Sequence, residues 1–317
     1  MARPLLALLL LLPLAARAAD FADATGRSVA VPDAVARVLP AGPPAAVLLA
    51  ALAPDLMLGW PGQAPPRGAE FLPQAVASLP AVPRLTGRAD ATEQVAALKP
   101  DLILDYGDTG PRYAALAADT QRRTGVPTLL LDGALPRTPD ALRLLGHALH
   151  REARAEELAQ LAERLLAEAP GGAPQSVVYA RGADGLDVAA PGSGAAAVFA
   201  LLGWRVLAPA GEGAFRHATM EQVAALDPDR LVFADAGMRA TVAGSPEWRA
   251  LRAVRTGQAS VMPATPFGWA EEPPSINRLL GLALLRQPGT AAAAQATLFG
   301  RALDPAAVEA MLRPIGP

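Results

Sequence analysis

The stretch TEQVAALKPDLIL, residues 92–104, recurs as MEQVAALDPDRLVF at residues 220–233. Both copies read Glu-Gln-Val-Ala-Ala-Leu, one variable residue, Pro-Asp, a second variable residue and an apolar run. An Ala-rich chain can repeat a few letters by chance, but a match that also keeps Pro-Asp in register indicates one supersecondary unit used twice. We therefore expect two similar lobes, each containing one copy of this unit.

Each copy predicts a short helix followed by a buried strand. The Val and Leu that follow each Glu by two and five residues supply an apolar helical face, and residues 102–104 and 231–233 are typical of buried strands. A threonine suited to cap the helix and a proline suited to end it flank each copy: Thr92 and Pro100 in the first, Thr219 and Pro228 in the second. Further strands alternate with helices, which predicts an α/β fold with mostly parallel sheets.

A stripe of leucines between the two copies predicts one long helix over residues 138–170. Thr138-Pro139-Asp140 is a typical helix start, and Pro170-Gly171-Gly172 is a typical stop. About thirty helical residues rise roughly 45 Å, which is long enough to join two lobes. The expected organisation is an N-terminal lobe over residues 19–137, this connecting helix, and a C-terminal lobe over residues 171–317.

The N-terminus resembles a cleavable signal peptide over residues 1–18. Arg3 precedes an apolar run at residues 5–14, and Ala16-Arg17-Ala18 supplies a small-residue cleavage site. The run is shorter than the roughly 20 residues that a transmembrane helix needs. The chain has no cysteine, which excludes a lipid anchor on an N-terminal Cys as well as thiolate metal sites. We expect an exported periplasmic protein without a lipid anchor.

Composition narrows the function further. The formal net charge is −2 and no run of like charges occurs, so the basic surface that nucleic acid requires is not expected. No Walker A loop, GxSxG elbow or HExxH motif is present, so neither catalysis nor a bound cofactor is expected. His147 and His150 have a spacing that can ligate a metal, but His217 is the only other histidine. We interpret the pair as structural and predict no metal site.

Two loops carry the residue types expected at the rim of a cleft. Ligands of open α/β sheets bind beyond the carboxyl ends of the strands. The segments expected there are residues 105–109, residues 235–237 and the loop that starts at Tyr179 and contains Arg181. Residues 263–269 contain Phe267 and Trp269 and lead into Pro-Pro-Ser-Ile-Asn-Arg at residues 273–278, where Ser275 can cap a helix. Aromatic rings beside helix-start amides and an Arg suit a bulky, partly anionic ligand. Ordinary packing of the two rings against their own lobe is the alternative.

Taken together, these motifs resemble the helical-backbone periplasmic binding proteins of the iron-complex class. The resemblance covers nearly all of the chain after the signal peptide and rests on Val-Pro-Asp at residues 31–33, the two repeated units, the long helix and the two loops. That class serves ABC importers of ferric siderophores, haem and vitamin B12, and one branch binds molybdate and tungstate. The resemblance implies a monomer whose partners are a small-molecule ligand and the permease and ATPase of the inner membrane.

The resemblance also assigns roles to residues. One glutamate on each lobe of the family engages arginines of the permease, and Glu93 and Glu221 match those two positions. The residues that the resemblance places near the cleft are Pro43, Trp60, Arg88, Tyr106, Tyr179, Phe267, Trp269 and Arg278. The loops described above add Arg181 and Asn277.

Three readings of the ligand chemistry stay open at this point. The first is a metal chelate: a ferric siderophore, haem or a corrinoid. The second is a tetrahedral oxyanion such as molybdate, held by Arg181 and Arg278, although the Ala-rich stretch after Ser193 lacks the polar residues expected for it. The third is a chelatase-like enzyme on the same two-lobed plan, which would need a titratable cluster in the cleft.

Overall fold

The computed structural model describes residues 18–63, 68, 71–86, 91–168, 173–304, 306, 308, 310 and 312–315. The signal peptide predicted over residues 1–18 lies outside the described residues except for Ala18, where the first strand begins. Within the described part of the chain, no helix is both long and apolar enough to cross a membrane.

The N-terminal lobe is built on a parallel sheet of three strands in the order β3-β6-β7. An antiparallel hairpin, β1-β2, and a short parallel pair, β4-β5, flank this sheet. The elements are β1 (Ala18–Ala22), β2 (Ser28–Pro32), β3 (Val38–Pro40), α1 (Pro43–Leu52), β4 (Trp60–Pro61), α2 (Gln74–Ala77), β5 (Ala81–Val82), α3 (Thr92–Leu98), β6 (Leu102–Gly107), α4 (Pro111–Thr124) and β7 (Thr128–Asp132).

The C-terminal lobe has a second sheet, in which β10, β8, β12 and β13 run parallel. Strands β9 and β11 extend the β8 side in antiparallel pairs. The elements after the first lobe are α5 (Thr138–Ala148), α6 (Glu152–Ala167), β8 (Ser176–Arg181), β9 (Asp187–Ala189), α7 (Ala197–Leu201), β10 (Arg205–Val206), β11 (Phe215–His217), α8 (Met220–Leu226), β12 (Arg230–Phe233), α9 (Met238–Gly244), α10 (Pro246–Ala250), α11 (Arg252–Arg255), β13 (Ala259–Val261), α12 (Arg278–Arg286) and α13 (Pro288–Phe299). The predicted α/β class with mostly parallel sheets is confirmed.

Alternate residues along a strand pack in different cores, because successive side chains point to opposite sides of the sheet. In β6, Leu102 and Leu104 lie in a large central core, whereas Ile103 packs with Val95 of α3 on the outer side. The second sheet repeats this arrangement: Val232 of β12 faces the central core, and its neighbours pack with Val223 of α8. The helix of each repeated unit therefore covers the outer face of its own sheet.

The predicted continuous helix over residues 138–170 is wrong, because α5 and α6 are separate helices that fold back on each other. His150 between them has φ +53°, outside the helical region. Arg143 on α5 forms ion pairs with Glu156 at 2.8 Å and with Glu163 at 2.6 Å. Thirteen residues of continuous helix would put Arg143 and Glu156 about 20 Å apart. The leucine stripe predicted one helix because α5 and α6 each bury an apolar face, so leucines recur at helical spacing on both sides of the break.

Helix α6, with a rise of about 24 Å, packs against helices of both lobes. Its Arg154 donates hydrogen bonds to the carbonyl oxygen of Ala51 on α1, at 3.1 Å, and to that of Thr297 on α13, at 2.6 Å. Residues 169–172 at the far end of the predicted helix lie outside the described residues. We retain the division into lobes at residues 19–137 and 171–317 as a proposal, with α5 and α6 between them.

The predicted caps of the repeated helices are half right. Thr219 caps α8 in a capping box: its hydroxyl accepts from the Gln222 amide at 3.2 Å, and its own amide donates to the Gln222 side chain. The prediction for Thr92 is wrong, since α3 is preceded by Ala91, which has no side-chain cap. Both helices end just before Pro100 and Pro228, as predicted.

Candidate functional site

A cavity of about 480 Å³ lies between the two lobes. The N-terminal lobe contributes Pro43, Val47, Trp60, Pro61 and Gln63, which we call the N-wall. The C-terminal lobe contributes Tyr179, Ala234, Met262, Glu272, Pro273 and most of the loop at residues 263–270, which we call the C-wall. The volume falls in the range of about 300–1,000 Å³ that is typical of small-molecule sites.

The strands of the second sheet position the C-wall at their carboxyl ends. Tyr179 lies near the end of β8, Ala234 directly follows β12, and Met262 directly follows β13. Side chains at the carboxyl ends of neighbouring parallel strands share one edge of the sheet, which is where α/β folds bind ligands. In the N-terminal lobe the start of α1 supplies Pro43, whereas residues 105–109, expected near the cleft, do not line the cavity.

Aromatic rings form the inner part of the cavity, and their polar atoms are used within the protein. The indole N–H of Trp60 donates to the carbonyl oxygen of Val76 at 2.8 Å, and that of Trp269 donates to the carbonyl oxygen of Thr265 at 3.1 Å. The Trp60 ring lies 5.8 Å from the Phe267 ring, so an aromatic contact joins the two walls. Predicted site residues that line the cavity are Pro43, Trp60, Tyr179, Phe267 and Trp269.

Three other predicted site residues are buried beside the cavity and do not line it. Tyr106 is 1% exposed, and its hydroxyl lies 3.4 Å from that of Thr138. Asn277 donates to the carbonyl oxygen of Gly268 and braces the 263–270 loop from behind. Arg278 donates to the carbonyl oxygens of Ser275, at 3.1 Å, and Gly133, at 2.5 Å, so it ties the lobes together.

Ser275 and Arg181, in the C-terminal loops, do not have the roles predicted for them. Ser275 does not cap α12, which begins at Arg278; its hydroxyl instead donates to the carbonyl oxygen of Pro44 at 2.7 Å, across the lobe boundary. Arg181 lies outside the cavity lining, with its guanidinium 3.6 Å from the centre of the Phe215 ring. Arg88 lies outside the described residues.

The sequence reasoning missed the acidic pair Glu271 and Glu272. Glu272 is an exposed residue of the C-wall, and Glu271 is buried behind it with one carboxylate oxygen 3.6 Å from an Nη of Arg181. Burial raises the pKa of Glu271 to about 7, although the Arg181 charge opposes this shift. The signal that could have found them is two adjacent carboxylates directly after the aromatic loop in a chain with few charges.

Tyr179 lines the cavity and lies within electrostatic range of this acidic pair. Burial, reinforced by the charges of Glu271 and Glu272, raises the pKa of Tyr179 well above its usual value. The phenol therefore stays neutral at physiological pH and can both donate and accept a hydrogen bond. The C-wall thus offers a ligand a phenol and a carboxylate on an aromatic background.

The two predicted docking glutamates occupy equivalent positions on the outside of the molecule. Glu93 is exposed in the first turn of α3, and Glu221 is exposed in the first turn of α8. Each is two residues before the valine that packs on the outer face of its sheet. The histidines lie elsewhere: His147 has its Nδ1 3.5 Å from a Glu152 oxygen. No group of three or more His, Asp or Glu is placed to hold a metal ion within the described residues.

The comparisons with known proteins agree with this geometry. Residues 64–266 match a family model described as periplasmic binding protein. The fold is similar to an ABC transporter solute binding protein from Sulfurospirillum deleyianum, with 22% identity, a TM-score of 0.81, and coverage of 92% of this chain and 98% of that one.

Two further solved structures share the fold. The molybdate periplasmic binding protein MolA of Haemophilus influenzae has 15% identity and a TM-score of 0.69, covering 90% of this chain and 99% of its own. A periplasmic heme binding protein from Pseudomonas aeruginosa has 24% identity and a TM-score of 0.56, covering 85% and 95%. No protein with a curated description matches the sequence. At these identities the structural likeness shows the fold.

Proposed function

The chain belongs to the periplasmic binding protein family, and we propose that it captures a metal chelate between its lobes and delivers it to an ABC permease. Members of this family bind substrates for ABC transporters and are not enzymes, so the general role follows from membership. The proposal adds the class of ligand, the binding site and the docking residues.

The observation that carries the proposal is the size and lining of the cavity. About 480 Å³ between two walls of aromatic and aliphatic residues suits a bulky ligand with apolar faces. A tetrahedral oxyanion has only a few heavy atoms and needs converging N–H donors or cationic side chains. Neither Arg181 nor Arg278, the residues expected to supply them, lines the cavity. A ferric siderophore, a corrinoid or haem fits the described lining better than molybdate does.

Delivery requires contact with the permease, and we assign that contact to Glu93 and Glu221. Both carboxylates are exposed at helix starts on the outer side of each lobe, where a partner protein can contact them without any rearrangement of the fold. A pair of carboxylates on two lobes can report the spacing of the lobes, and therefore the presence of a ligand between them. The proposal includes export through residues 1–18, release as a monomer without a lipid anchor, and action in the periplasm.

A thermal-shift panel on the chain from Ala19 onward tests the class of ligand. The panel contains ferric siderophores, haem, cobalamin, molybdate and tungstate. A ligand at about 100 times its dissociation constant stabilises the fold by roughly 2.7 kcal/mol. We expect a shift with at least one chelate and none with the oxyanions.

A matched variant shows whether the ligand uses the cavity. Phe267→Ala removes a ring from the C-wall and is expected to reduce the shift with the chelate, whereas Phe21→Ala removes a partly buried ring outside the lining and serves as the control. A shift with molybdate or tungstate alone would overturn the chelate proposal in favour of the oxyanion.

A further inference from the structure

The two walls of the cavity differ in charge. Every N-wall residue is uncharged, whereas the C-wall contains Glu272, the one ionisable acid or base other than the Tyr179 phenol in the described lining. Glu272 is exposed to the cavity mouth, and its carboxylate forms no ion pair with another described residue. Among the described lining residues, a ligand that enters the cavity therefore meets one carboxylate and no cationic side chain.

Glu271 lies behind Glu272 and adds a second negative charge only as the pH rises through its pKa of about 7. Its side chain is 11% exposed, and one of its oxygens is buried without a hydrogen bond, since the nearest Arg181 nitrogen is 3.6 Å away. Arg181 faces the Phe215 ring, outside the cavity lining. Arg278, the other cation near Glu271, is occupied by backbone carbonyl oxygens.

The remaining polar atoms of the lining do not supply a cationic counterpart. Both indole N–H groups are bonded within the protein, and the Tyr179 phenol stays neutral. Gln63 on the N-wall offers a neutral amide. Aromatic rings also attract cations through their faces and give no comparable attraction to anions. The Glu272 carboxylate and the aromatic ring faces of the described walls therefore both favour a cationic ligand over an anionic one.

We propose that the cavity selects neutral or positively charged chelates over polyanionic ones, and that Glu272 is the residue that sets this preference. The inference rests on the proposed capture of a metal chelate and narrows it: hydroxamate-type and corrinoid-type chelates fit, whereas polycarboxylate or catecholate complexes are repelled. Two unit charges about 4 Å apart interact by about 1 kcal/mol in water and by more near a protein surface. Attraction of the cation and repulsion of the anion add to about 2 kcal/mol, and because 1.4 kcal/mol is tenfold, a preference of at least about tenfold follows.

Two series of chelates that differ only in charge test the inference. The first is a linear ferric trihydroxamate whose pendant amine is free, acetylated or succinylated, which makes the ligand cationic, neutral or anionic. The second is an iron porphyrin carrying either N-methylpyridinium groups or carboxylates. Isothermal titration calorimetry gives the affinity of the protein from Ala19 onward for each ligand. We expect the cation to bind at least about tenfold more tightly than the anion of the same series.

Variants then assign the preference to its residue. Glu272→Gln is expected to reduce the cation-to-anion ratio of affinities about tenfold, whereas Glu212→Gln, which changes an exposed carboxylate outside the lining, should retain the ratio. Anionic ligands that bind as tightly as cationic ones, or a ratio that Glu272→Gln leaves unchanged, would overturn the inference while chelate capture stands. No binding of any chelate in either series would overturn both.

Discussion

The two copies of the repeated unit are nearly the same on the outside of the molecule. Helices α3 and α8 each end in a residue with positive φ, Lys99 at +47° and Asp227 at +37°, before the shared Pro-Asp. The Asp101 carboxylate accepts hydrogen bonds from two amides just before β3, and that of Asp229 accepts from the amide and hydroxyl of Ser176, the first residue of β8. In both lobes this carboxylate fixes the strand beside its own.

The walls that the same two lobes turn toward the cavity have little in common. The N-wall comes from the start of α1 and from β4, and it is uncharged. The C-wall comes from the ends of β8, β12 and β13 and from the loop after β13, and it carries Glu272 with Glu271 buried behind it. The difference teaches that the repeated unit builds the scaffold and presents the two glutamates, whereas the surroundings of the ligand arise from segments outside the unit.

Removal of both docking glutamates is expected to have the largest effect. If Glu93 and Glu221 are equivalent contacts, each change to Ala should reduce uptake through the reconstituted importer about tenfold, and the double variant roughly a hundredfold, because distant sites contribute independently. Chelate affinity should stay unchanged, because neither residue lines the cavity. Transport of labelled chelate into proteoliposomes measures the first quantity, and calorimetry measures the second.

The control for the docking pair is Glu212→Ala, another exposed carboxylate that lies outside both copies of the unit. It should transport like the unaltered protein. A large loss in only one of the two single variants would break the equivalence of the copies, and a loss of chelate affinity would contradict the assignment to docking.

Glu271 should make the stability of the protein depend on pH. Glu271 has a native pKa of about 7, above its ordinary value of 4.5, because it is buried. Between pH 4.5 and pH 7 the native state holds a proton on Glu271 that the unfolded chain releases. The contribution of this residue to the free energy of unfolding is therefore fully present below pH 4.5 and is lost as the pH rises through 7. Glu271→Gln should therefore increase the free energy of unfolding by about 2 kcal/mol at pH 8 and change it little at pH 4.5.

Urea unfolding of both proteins from pH 4.5 to pH 8.5 measures this difference. Glu212→Gln is the matched control, since its exposed carboxylate should give a curve parallel to that of the unaltered chain. An equal stability of the Glu271→Gln variant and the parent at pH 8 would show that ionised Glu271 is not destabilising, and the pH dependence would need another source.

The smallest expected effect concerns the caps of the two repeated helices. Thr219→Ala removes the capping box of α8 and should cost about 1 kcal/mol, whereas Thr219→Ser retains the hydroxyl and should cost less. Helix α3 begins after Ala91 and has no such cap. Hydrogen exchange of the first-turn amides should therefore be slower in α8 than in α3, and Thr219→Ala should reduce the difference. Equal exchange in the unaltered protein would contradict this asymmetry.

The scaffold could be read from the sequence because it depends on local patterns. The Glu-Gln-Val-Ala-Ala-Leu repeat, the Pro-Asp turns and the short apolar runs each specify a helix, a stop or a strand within a few residues, and the structure has them there. The break at His150 was missed because the nearest glycine, Gly146, lies within the last turn of α5 and was not interpreted as a helix end. It is stabilised by contacts between residues distant in sequence, such as that of Arg143 with Glu163.

The cavity was only partly predictable for a related reason. Phe267 was identified as an aromatic residue of a rim loop and Trp60 through the family resemblance, and both line the cavity. Arg278 was expected there by its charge, yet a buried cation can equally be satisfied by backbone carbonyl oxygens, such as that of Gly133, which only the fold brings close. Glu272 was passed over because exposed carboxylates are common in loops, and only its place beside Glu271 directly after the aromatic loop distinguishes it. The side chains that meet at the lobe boundary are set by tertiary contacts.

The most direct test is the position of the bound metal in a crystal of the protein with a ferric chelate that shifts its melting temperature. Anomalous scattering at the iron edge locates the ion independently of how the ligand is built. The proposal predicts one peak between the walls, with Trp60 on one side and Tyr179 on the other. A peak on the outer surface, with the cavity empty, would contradict capture between the lobes.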